Sequence, residues 1–341
     1  MFQYIIKRLA ISILILLGVS VIIYSMVRLM PNDYVDTKYA SQLQSGTITL
    51  DDIAHFKSLY GIGDNSFKGI IGGYLKWIGN LAQGDLGLSF KYEKPVGQVI
   101  SENMWISFAI AVIATILQFA ISVPLGISSA THQYSLRDYA VTFFTMIGIS
   151  LPTYFFAAIV VKVFAVDLEL FPPSGLLSAT ANYPEGFAGS MQKLFDIAHH
   201  LFLPILVSVL LSIGGLMRYT RTNMLEVLNA DYIRTARAKG LSENKVIFKH
   251  ALRNAVNPMI TLLGFEFAGL LSGAALTEYV FQYPGLGRLI LEAVMKSDIN
   301  LVMASLMMGT IMLILGNLLA DILLMLTDPR LRTISQEGTK E

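Results

Sequence analysis

The chain has 341 residues, of which 54% are hydrophobic and only 14% charged, and its mean hydropathy is +0.59. Because a soluble domain carries about 25% charged residues, this composition excludes a water-soluble globule and indicates a membrane protein. The formal net charge of +1 gives no sign of a nucleic-acid partner, and the absence of cysteine from the sequence excludes disulfides and thiolate metal sites.

Six uncharged or nearly uncharged runs follow one another along the chain. They cover residues 9–27, 105–126, 139–161, 201–217, 259–277 and 301–320. Each is close to the ~20 residues that cross a ~30 Å hydrocarbon core as a helix, and none has the ~10-residue alternation of a barrel strand. The sequence therefore predicts an all-α membrane protein with six transmembrane helices. The first run, within residues 1–30, is too long for a signal-peptide core and lacks a small-residue cleavage site, so we interpret it as a retained helix.

A long segment, residues 31–102, separates the first two runs and is predicted to lie outside the cell. Apolar residues at helical spacing over 51–60 and 74–78 predict short amphipathic helices. We expect an extracytoplasmic cap, which serves either as a docking platform for an external partner or as a structural lid. The string Gly61-Ile-Gly-Asp64 matches the G-x-G-D of intramembrane aspartyl proteases, but no second carboxylate on another run accompanies it. A turn built on two glycines is the better interpretation.

Lysine and arginine in the short loops predict the orientation, because the cytoplasmic side of membrane proteins is enriched in them. The loop at 218–257 carries eight basic residues against three acidic ones, a net charge of +5, and the tail after residue 327 adds Arg330 and Arg332. Both the N-terminus and the C-terminus are therefore predicted to lie inside, with the cap outside.

The inner loop, residues 221–257, is predicted to hold two short helices around a glycine hinge. Asp231 is a plausible N-cap of the first helix, Gly240 can end it in the left-handed conformation, and Ser242 can cap the second helix over 243–255. One face of the first helix is expected to carry Tyr232, Thr235, Ala236 and Lys239, flanked by Arg234 and Arg237. A helix of about eight residues is not stable alone in water, so it must dock on something. Anionic lipid is one candidate, but the helix lacks a row of Trp, Phe or Leu, which favours a protein socket.

Chemistry for catalysis is missing from the sequence. There is no G-x-x-x-x-G-K-[ST] string, so the chain is not expected to hydrolyse ATP itself. The five histidines are scattered and no carboxylate cluster accompanies them, so we expect neither a catalytic site nor a metal site.

The string Arg234-Thr-Ala-Arg-Ala-Lys-Gly240 resembles the EAA loop of bacterial ABC-transporter permeases, in the form typical of the oligopeptide/dipeptide/nickel importers. The resemblance extends along nearly the whole chain, through Pro31-Asn-Asp33, Gly84-Asp-Leu-Gly87, Leu151-Pro152, the string from Glu278 to Gly287, and Asp328-Pro-Arg-Leu-Arg332. The general EAA pattern begins with Glu where this chain has Arg234, and its proline comes only at Pro258; both departures are usual for the peptide branch. Asn32 stands where a glycine is more typical. The long outer segment resembles the first of the family's two permease subunits.

The resemblance implies a type I ABC importer permease fold, with a five-helix core over 103–330, an inner coupling loop and a cytoplasmic tail over 331–341. It implies a non-catalytic subunit in the bacterial cell membrane. The implied partners are membrane lipid, a second homologous permease subunit, two ATPase subunits and an extracytoplasmic peptide-binding protein. ATP and Mg would be bound by the ATPases, and no cofactor is expected in this chain.

The resemblance also assigns roles in the inner loop. The ATPase-coupling helix would include Asp231, Thr235 and Lys239, with Tyr232 and Ala236 as packing contacts, Arg234 and Arg237 as charge contacts, and Gly240 as the hinge. The implied cargo is a di- or oligopeptide, with nickel complexes, haem, glutathione or opines as alternatives. A free-standing secondary transporter or membrane enzyme is the rival interpretation, although a secondary transporter is expected to show internal repeats, which this sequence lacks.

Polar residues inside the apolar runs are the last candidates. Glu266 lies about 12 Å into the fifth run, counted from Pro258 at the helical rise, and a buried carboxylate at that depth is costly. We interpret Glu266, and more weakly Gln118, as lining the translocation pathway; a structural hydrogen bond from Glu266 to a partner subunit is the alternative. Asp321, near the inner end of the sixth run, is expected to cap a helix or pair with Arg330.

Overall fold

The computed structural model describes residues 2–28, 34–59, 66–256, 258, 259, 261–263, 266 and 274–327. Within these residues the secondary structure is helical, apart from an isolated bridge between Leu88 and Pro95. The helices are, in chain order, α1 Phe2–Arg28, α2 Tyr34–Gln44, α3 Leu50–Leu59, α4 Phe67–Ala82, α5 Val96–Thr131, α6 Leu136–Ser150, α7 Thr153–Val160, α8 Phe187–Leu228, α9 Asp231–Ala238, α10 Glu243–Lys245, α11 Leu252–Ala255, α12 Ala275–Phe281, α13 Leu286–Met295 and α14 Ile299–Thr327. The π-helical segments Val161–Asp167 and Val246–Ala251 extend α7 and join α10 to α11.

Four of these helices, α1, α5, α8 and α14, are long and apolar enough to cross a membrane. They contain the predicted runs 9–27, 105–126, 201–217 and 301–320, which are confirmed as apolar helices. The fifth predicted run, 259–277, falls largely outside the described residues. The count of six spans therefore stays a prediction.

The third predicted run, 139–161, is not one straight helix. α6 ends at Ser150, α7 begins at Thr153, and the two are bent by 103°. Pro152 causes the break, because it has no N–H for a helical hydrogen bond and disfavours the helical conformation of the residue before it. Leu151 accordingly takes an extended ψ of 132°. The pair is one broken span or a re-entrant segment rather than a simple crossing.

The centre of the protein is the packing of α8 against α5 and α6. Gly126 of α5 lies so close to α8 that an added Cβ would come within 2.6 Å of the Cβ of Thr220. On another side of α8, a Cβ on Gly214 would lie 2.5 Å from the carbonyl oxygen of Thr145 in α6. Glycine is required at both crossings, because small residues let membrane helices approach closely.

The helices α3 and α4 confirm the short helices predicted over 51–60 and 74–78. α4 packs against the C-terminal half of α1, where the Tyr74 hydroxyl and the Ser20 Oγ are 2.8 Å apart and share a hydrogen bond. The strings 31–33 and 61–64 lie outside the described residues. The assignment of residues 31–102 to an extracytoplasmic cap stays a prediction.

The loop after α4 is fastened to the start of α14 by a buried carboxylate. Asp298 accepts hydrogen bonds from the Ser89 hydroxyl at 2.6 Å and from the backbone N–H of Lys91 at 3.0 Å. The ammonium group of Lys91 also pairs with Glu292 of α13. Burial opposes ionisation of Glu292, but its hydrogen bonds from Lys91 and Arg288 prevail and lower its pKa.

The inner ends of α1 and α14 lie side by side. The Nε of Arg8 is 2.9 Å from an Oδ of Asp321, which forms an ion pair between the two helices. Asp321 therefore has Arg8 as a partner, and its predicted pairing with Arg330 stays a prediction because Arg330 lies outside the described residues. The start of α1 and the end of α14 thus share one side of the bundle, as the predicted orientation requires.

Candidate functional site

The helix α9 lies in the inner loop almost where the sequence predicts it, but Asp231 is not its N-cap. The N-cap position is held by Ala230, and Asp231 is the first helical residue. Its carboxylate is exposed and lies 3.4 Å from an Nη of Arg234. A carboxylate in the first turn still favours the helix, because it faces the positive end of the macrodipole.

The left-handed turn predicted at Gly240, after α9, is confirmed. Gly240 has φ +75°, a left-handed conformation that glycine adopts without a steric penalty. The backbone N–H of Gly240 donates to the Arg237 carbonyl at 2.9 Å, and that of Leu241 donates to the Ala236 carbonyl at 3.4 Å. Ser242 occupies the predicted N-cap position of α10, although its side chain makes no capping hydrogen bond.

The face of α9 that packs inward differs from the predicted one. Ile233 is 0% exposed and Ala236 is 7% exposed. They belong to an apolar cluster with Ile127, Ala130, Met224, Val246, Ile247, Ala251 and Ala255. Ala236 was predicted as an exposed packing contact; here it is buried, because the segment Val246–Ala251 folds over that side of the helix.

The outward surface of α9 is polar and basic. Tyr232 is 47% exposed, and the other exposed residues of the predicted coupling set are Asp231, Arg234, Thr235, Arg237, Lys239 and Gly240. Phe248, in the second part of the loop, is a further exposed aromatic residue at 59% that the sequence reasoning did not single out. The loop therefore turns its apolar residues toward α5 and α8 and presents charge and two aromatic rings outward.

Arg237 forms an ion pair with Glu243, on the other side of Gly240. Its Nη2 donates to Glu243 Oε1 at 2.6 Å and its Nε donates to Oε2 at 3.2 Å. These hydrogen bonds raise the pKa of Arg237 and hold the pKa of Glu243 below its usual range. The pair connects α9 to α10 on either side of Gly240.

Beneath the loop, a buried ion pair joins the inner ends of three helices. Asp138 of α6 accepts hydrogen bonds from the Nε and Nη2 of Arg221 of α8 at 2.8 and 2.9 Å. It also accepts from the Ser129 hydroxyl of α5 and from the backbone N–H of Tyr134. Sequence reasoning counted Arg221 among the basic residues of the loop, but nothing in the spacing points to its partner. This pair makes the inner ends of α5, α6 and α8 one platform under α9.

The two predicted pathway residues line the same pair of cavities. Gln118 and Glu266 both contribute to a cavity of about 180 Å³ and to a neighbouring one of about 480 Å³. The smaller cavity is bounded by the middle parts of α5 and α8 and by Glu278 and Tyr283, and the larger one by the break between α6 and α7. The Nε2 of Gln118 donates to the Ser212 carbonyl at 3.4 Å.

Glu278 is a buried carboxylate whose role the sequence did not predict. It is 1% exposed and accepts hydrogen bonds from the Ser107 hydroxyl at 2.7 Å, from the backbone N–H of Arg288 at 2.7 Å and from that of Ala274 at 3.3 Å. An added Cβ on Gly285 would lie 2.4 Å from this carboxylate. Glu278 thus caps the N-terminus of α13 from α12, and glycine at 285 makes room for it. The string from Glu278 to Gly287 was visible in the sequence, but its partner Ser107 is far away in the chain.

Metal ligands are not grouped in the part of the chain that the structure describes: no set of three or more His, Cys, Asp or Glu side chains there could hold an ion. The polar groups of the site are arranged for hydrogen bonding and for ion pairs. The geometry supports a docking surface on α9 and a largely apolar cavity between the helices whose lining includes a few polar side chains.

Comparisons with known proteins give the family. Residues 122–333 match the family described as "Binding-protein-dependent transport system inner membrane component". The chain is 37% identical over 332 residues to the oligopeptide transport system permease protein AppB of Bacillus subtilis (strain 168), covering 97% of this chain and 99% of that protein. It is 32% identical over 344 residues to the dipeptide transport system permease protein DppB of Escherichia coli (strain K12), with 97% and 99% coverage.

A solved structure is similar in fold. A chain of the MetNI methionine ABC transporter, in an inward-facing conformation, matches with a TM-score of 0.51 and 15% identity over 68% of this chain and 97% of that chain. This likeness concerns the fold alone, which is the type I ABC importer permease fold. Together with the apolar helices, these matches show that the chain belongs to the family of binding-protein-dependent transport system inner membrane components.

Proposed function

We propose that this chain is the membrane-spanning permease subunit of an ATP-driven ABC importer for di- or oligopeptides. The observation that carries the proposal is that two relatives named as oligopeptide and dipeptide permeases match over 97% of the chain. Membership of a binding-protein-dependent family argues against a free-standing secondary transporter or a membrane enzyme. The chain would form half of the translocation pathway, and a second homologous permease subunit would form the other half.

The inner loop would transmit the movement of the ATPase subunits during ATP hydrolysis to the membrane helices. The exposed surface of α9, with Tyr232, Arg234 and Lys239, would dock in a socket on one of two ATPase subunits. The apolar cluster around Ile233 supports a coupling role, because it ties α9 to the inner ends of α5 and α8. A displacement of α9 by the closing ATPases would then move these helices as a unit. The cargo would be delivered from outside by a peptide-binding protein.

Co-purification tests the coupling proposal. The permease pair is expressed with its candidate ATPase subunits, and the ATPase retained on a tagged permease is measured for the wild type and for Arg234→Glu combined with Tyr232→Ala. We expect the double variant to lose about tenfold or more of the retained ATPase, since an anchor residue in an interface contributes about 2 kcal/mol. Lys193→Glu, a charge reversal at an exposed residue near the predicted outer end of α8, is the control and is expected to retain it. Normal ATPase retention by the double variant would contradict the docking surface.

A further inference from the structure

The cavities beside Glu266 are lined by acidic side chains and by no basic side chain among the described residues. Among the described residues that line them, the charged side chains are Glu266 and Glu278, and there is no Lys, Arg or His. Both oxygens of Glu278 already accept hydrogen bonds from Ser107 and from the backbone of α12 and α13. Glu266 is therefore the carboxylate that is placed to meet a ligand.

The break between α6 and α7 adds a second source of negative potential. Gly148 lines the larger cavity, and the residue four positions later is Pro152, which has no N–H. The carbonyl of Gly148 consequently lacks the donor that a continuing helix would supply. This carbonyl belongs to the C-terminal turn of α6, where the helix dipole places partial negative charge.

Gln118 provides a third acceptor in the same cavity. Because its Nε2 donates to the Ser212 carbonyl, its amide oxygen is left to accept a hydrogen bond. Glu266, Gly148 and Gln118 all line the cavity of about 480 Å³, a volume within the roughly 300–1,000 Å³ range of small-molecule sites. The wall thus combines one carboxylate with two neutral acceptors.

We propose that this cavity holds the protonated N-terminal amino group of the peptide cargo, with Glu266 as its ion-pair partner. An ammonium group has three N–H donors, which match these three acceptors in number. Of the two ends of a peptide, the carboxylate end would require a cation, and the described lining has none. The amino group is also the cation that peptides of every sequence share. The inference rests on the proposed function and deepens it by naming the group that the pathway recognises.

The test compares two cargoes that differ in this group alone. The complete importer is reconstituted in liposomes, and uptake of Ala-Ala is compared with that of lactyl-alanine, in which a hydroxyl replaces the amine. The binding protein is titrated with each cargo so that uptake is compared at equal receptor occupancy. Wild type is expected to favour the amine about tenfold, in keeping with a charge-assisted hydrogen bond. Glu266→Gln is expected to bring this ratio close to one, and Glu266→Asp to keep most of it.

Glu226→Gln, which removes an exposed carboxylate near the inner end of α8, is the matched control and is expected to leave the ratio unchanged. ATPase stimulation by the loaded binding protein shows that each variant is assembled. An unchanged ratio in Glu266→Gln, or equal loss of both cargoes, would overturn the inference while the proposed function stands. Failure of the wild type to import Ala-Ala despite an occupied receptor would overturn the proposed function, and the inference with it.

Discussion

The inner loop and the hairpin of α12 and α13, called the outer hairpin below, are stabilised in opposite ways. Both consist of short helices around a glycine, Gly240 in the loop from α9 to α11 and Gly285 in the hairpin of α12 and α13. The inner loop buries apolar side chains such as Ile233 and leaves its charges outside, whereas the outer hairpin buries the carboxylate of Glu278 under its own backbone. The difference teaches that the predicted outer end is held by buried hydrogen bonds, while the predicted inner end exposes a charged surface.

The largest loss of stability is expected at the ion pair under the inner loop, where a carboxylate is buried although the loop itself exposes its charges. Asp138→Ala removes the buried carboxylate that Arg221 contacts through two nitrogens. The expected cost is about 3 kcal/mol, at the low end for a buried ion pair, because the Arg221 side chain that remains is a quarter exposed and keeps part of its hydration. We expect a marked fall in the midpoint of thermal unfolding of the detergent-solubilised permease, measured without its ATPase subunits. A shift no larger than that of Tyr232→Ala would show that the pair does not hold the inner ends together.

The outer hairpin should be nearly as sensitive. Glu278→Ala leaves the Ser107 hydroxyl and two backbone N–H groups without their acceptor. We expect a loss of about 3 kcal/mol, since each unsatisfied buried donor costs about 1–3 kcal/mol and neighbouring losses are not additive. The thermal midpoint is again the measurement, with Glu292→Gln as a carboxylate control on the more exposed side of α13. Equal effects of the two substitutions would remove the distinction between the fully buried carboxylate of Glu278 and the half-buried one of Glu292.

The inner loop should respond to its buried face and not to its exposed one. Ile233→Ala is expected to cost about 2–4 kcal/mol, because it leaves a cavity in the apolar cluster under α9. Tyr232→Ala, one residue away but exposed, should change stability by less than about 0.5 kcal/mol. Hydrogen exchange of the α9 amides checks both variants. Similar exchange rates in the two would contradict the assignment of the buried face.

In this loop, the sequence predicts the features that depend on neighbouring residues and misses those that depend on distant ones. The position of α9 and its end at Gly240 follow from turn chemistry within a few residues, and both are confirmed. The choice of face was wrong for Ala236, because periodicity groups residues without saying which group a later segment will cover. Here Val246–Ala251 covers it.

The longer-range features escape prediction for the same reason. Pro152 marks the place of a kink in the sequence, but neither it nor the continuous hydropathy of 139–161 gives the bend angle of 103°. The capping role of Glu278 depends on Ser107, which lies on another helix. By contrast, a polar residue inside an apolar run is visible in the sequence itself, and Glu266 and Gln118 do line the same cavities.

The smallest effect belongs to the exposed pair of Arg237 and Glu243. The hydrogen bonds from Arg237 hold the pKa of Glu243 below its usual range, so the folded-state pKa lies below the unfolded one. The pair therefore contributes stability that is fully present above the unfolded pKa and is lost as the pH falls through the folded one. Because both side chains are substantially exposed, the contribution is at most about 1 kcal/mol and weakens with salt. Comparison of wild type with Glu243→Gln at pH 7 and in acid checks this; a difference that grows on acidification would contradict it.

The absence of cysteine from the sequence permits the most direct measurement of the central claim, that the exposed surface of α9 docks on the ATPase. Single thiols are introduced by Tyr232→Cys and, as a buried control, by Ala236→Cys, and maleimide labelling is followed with and without the ATPase subunits. We predict that the thiol at 232 reacts in the isolated permease and is protected in the assembled complex, whereas the thiol at 236 reacts in neither. Full reactivity of the thiol at 232 in the assembled complex would contradict the account.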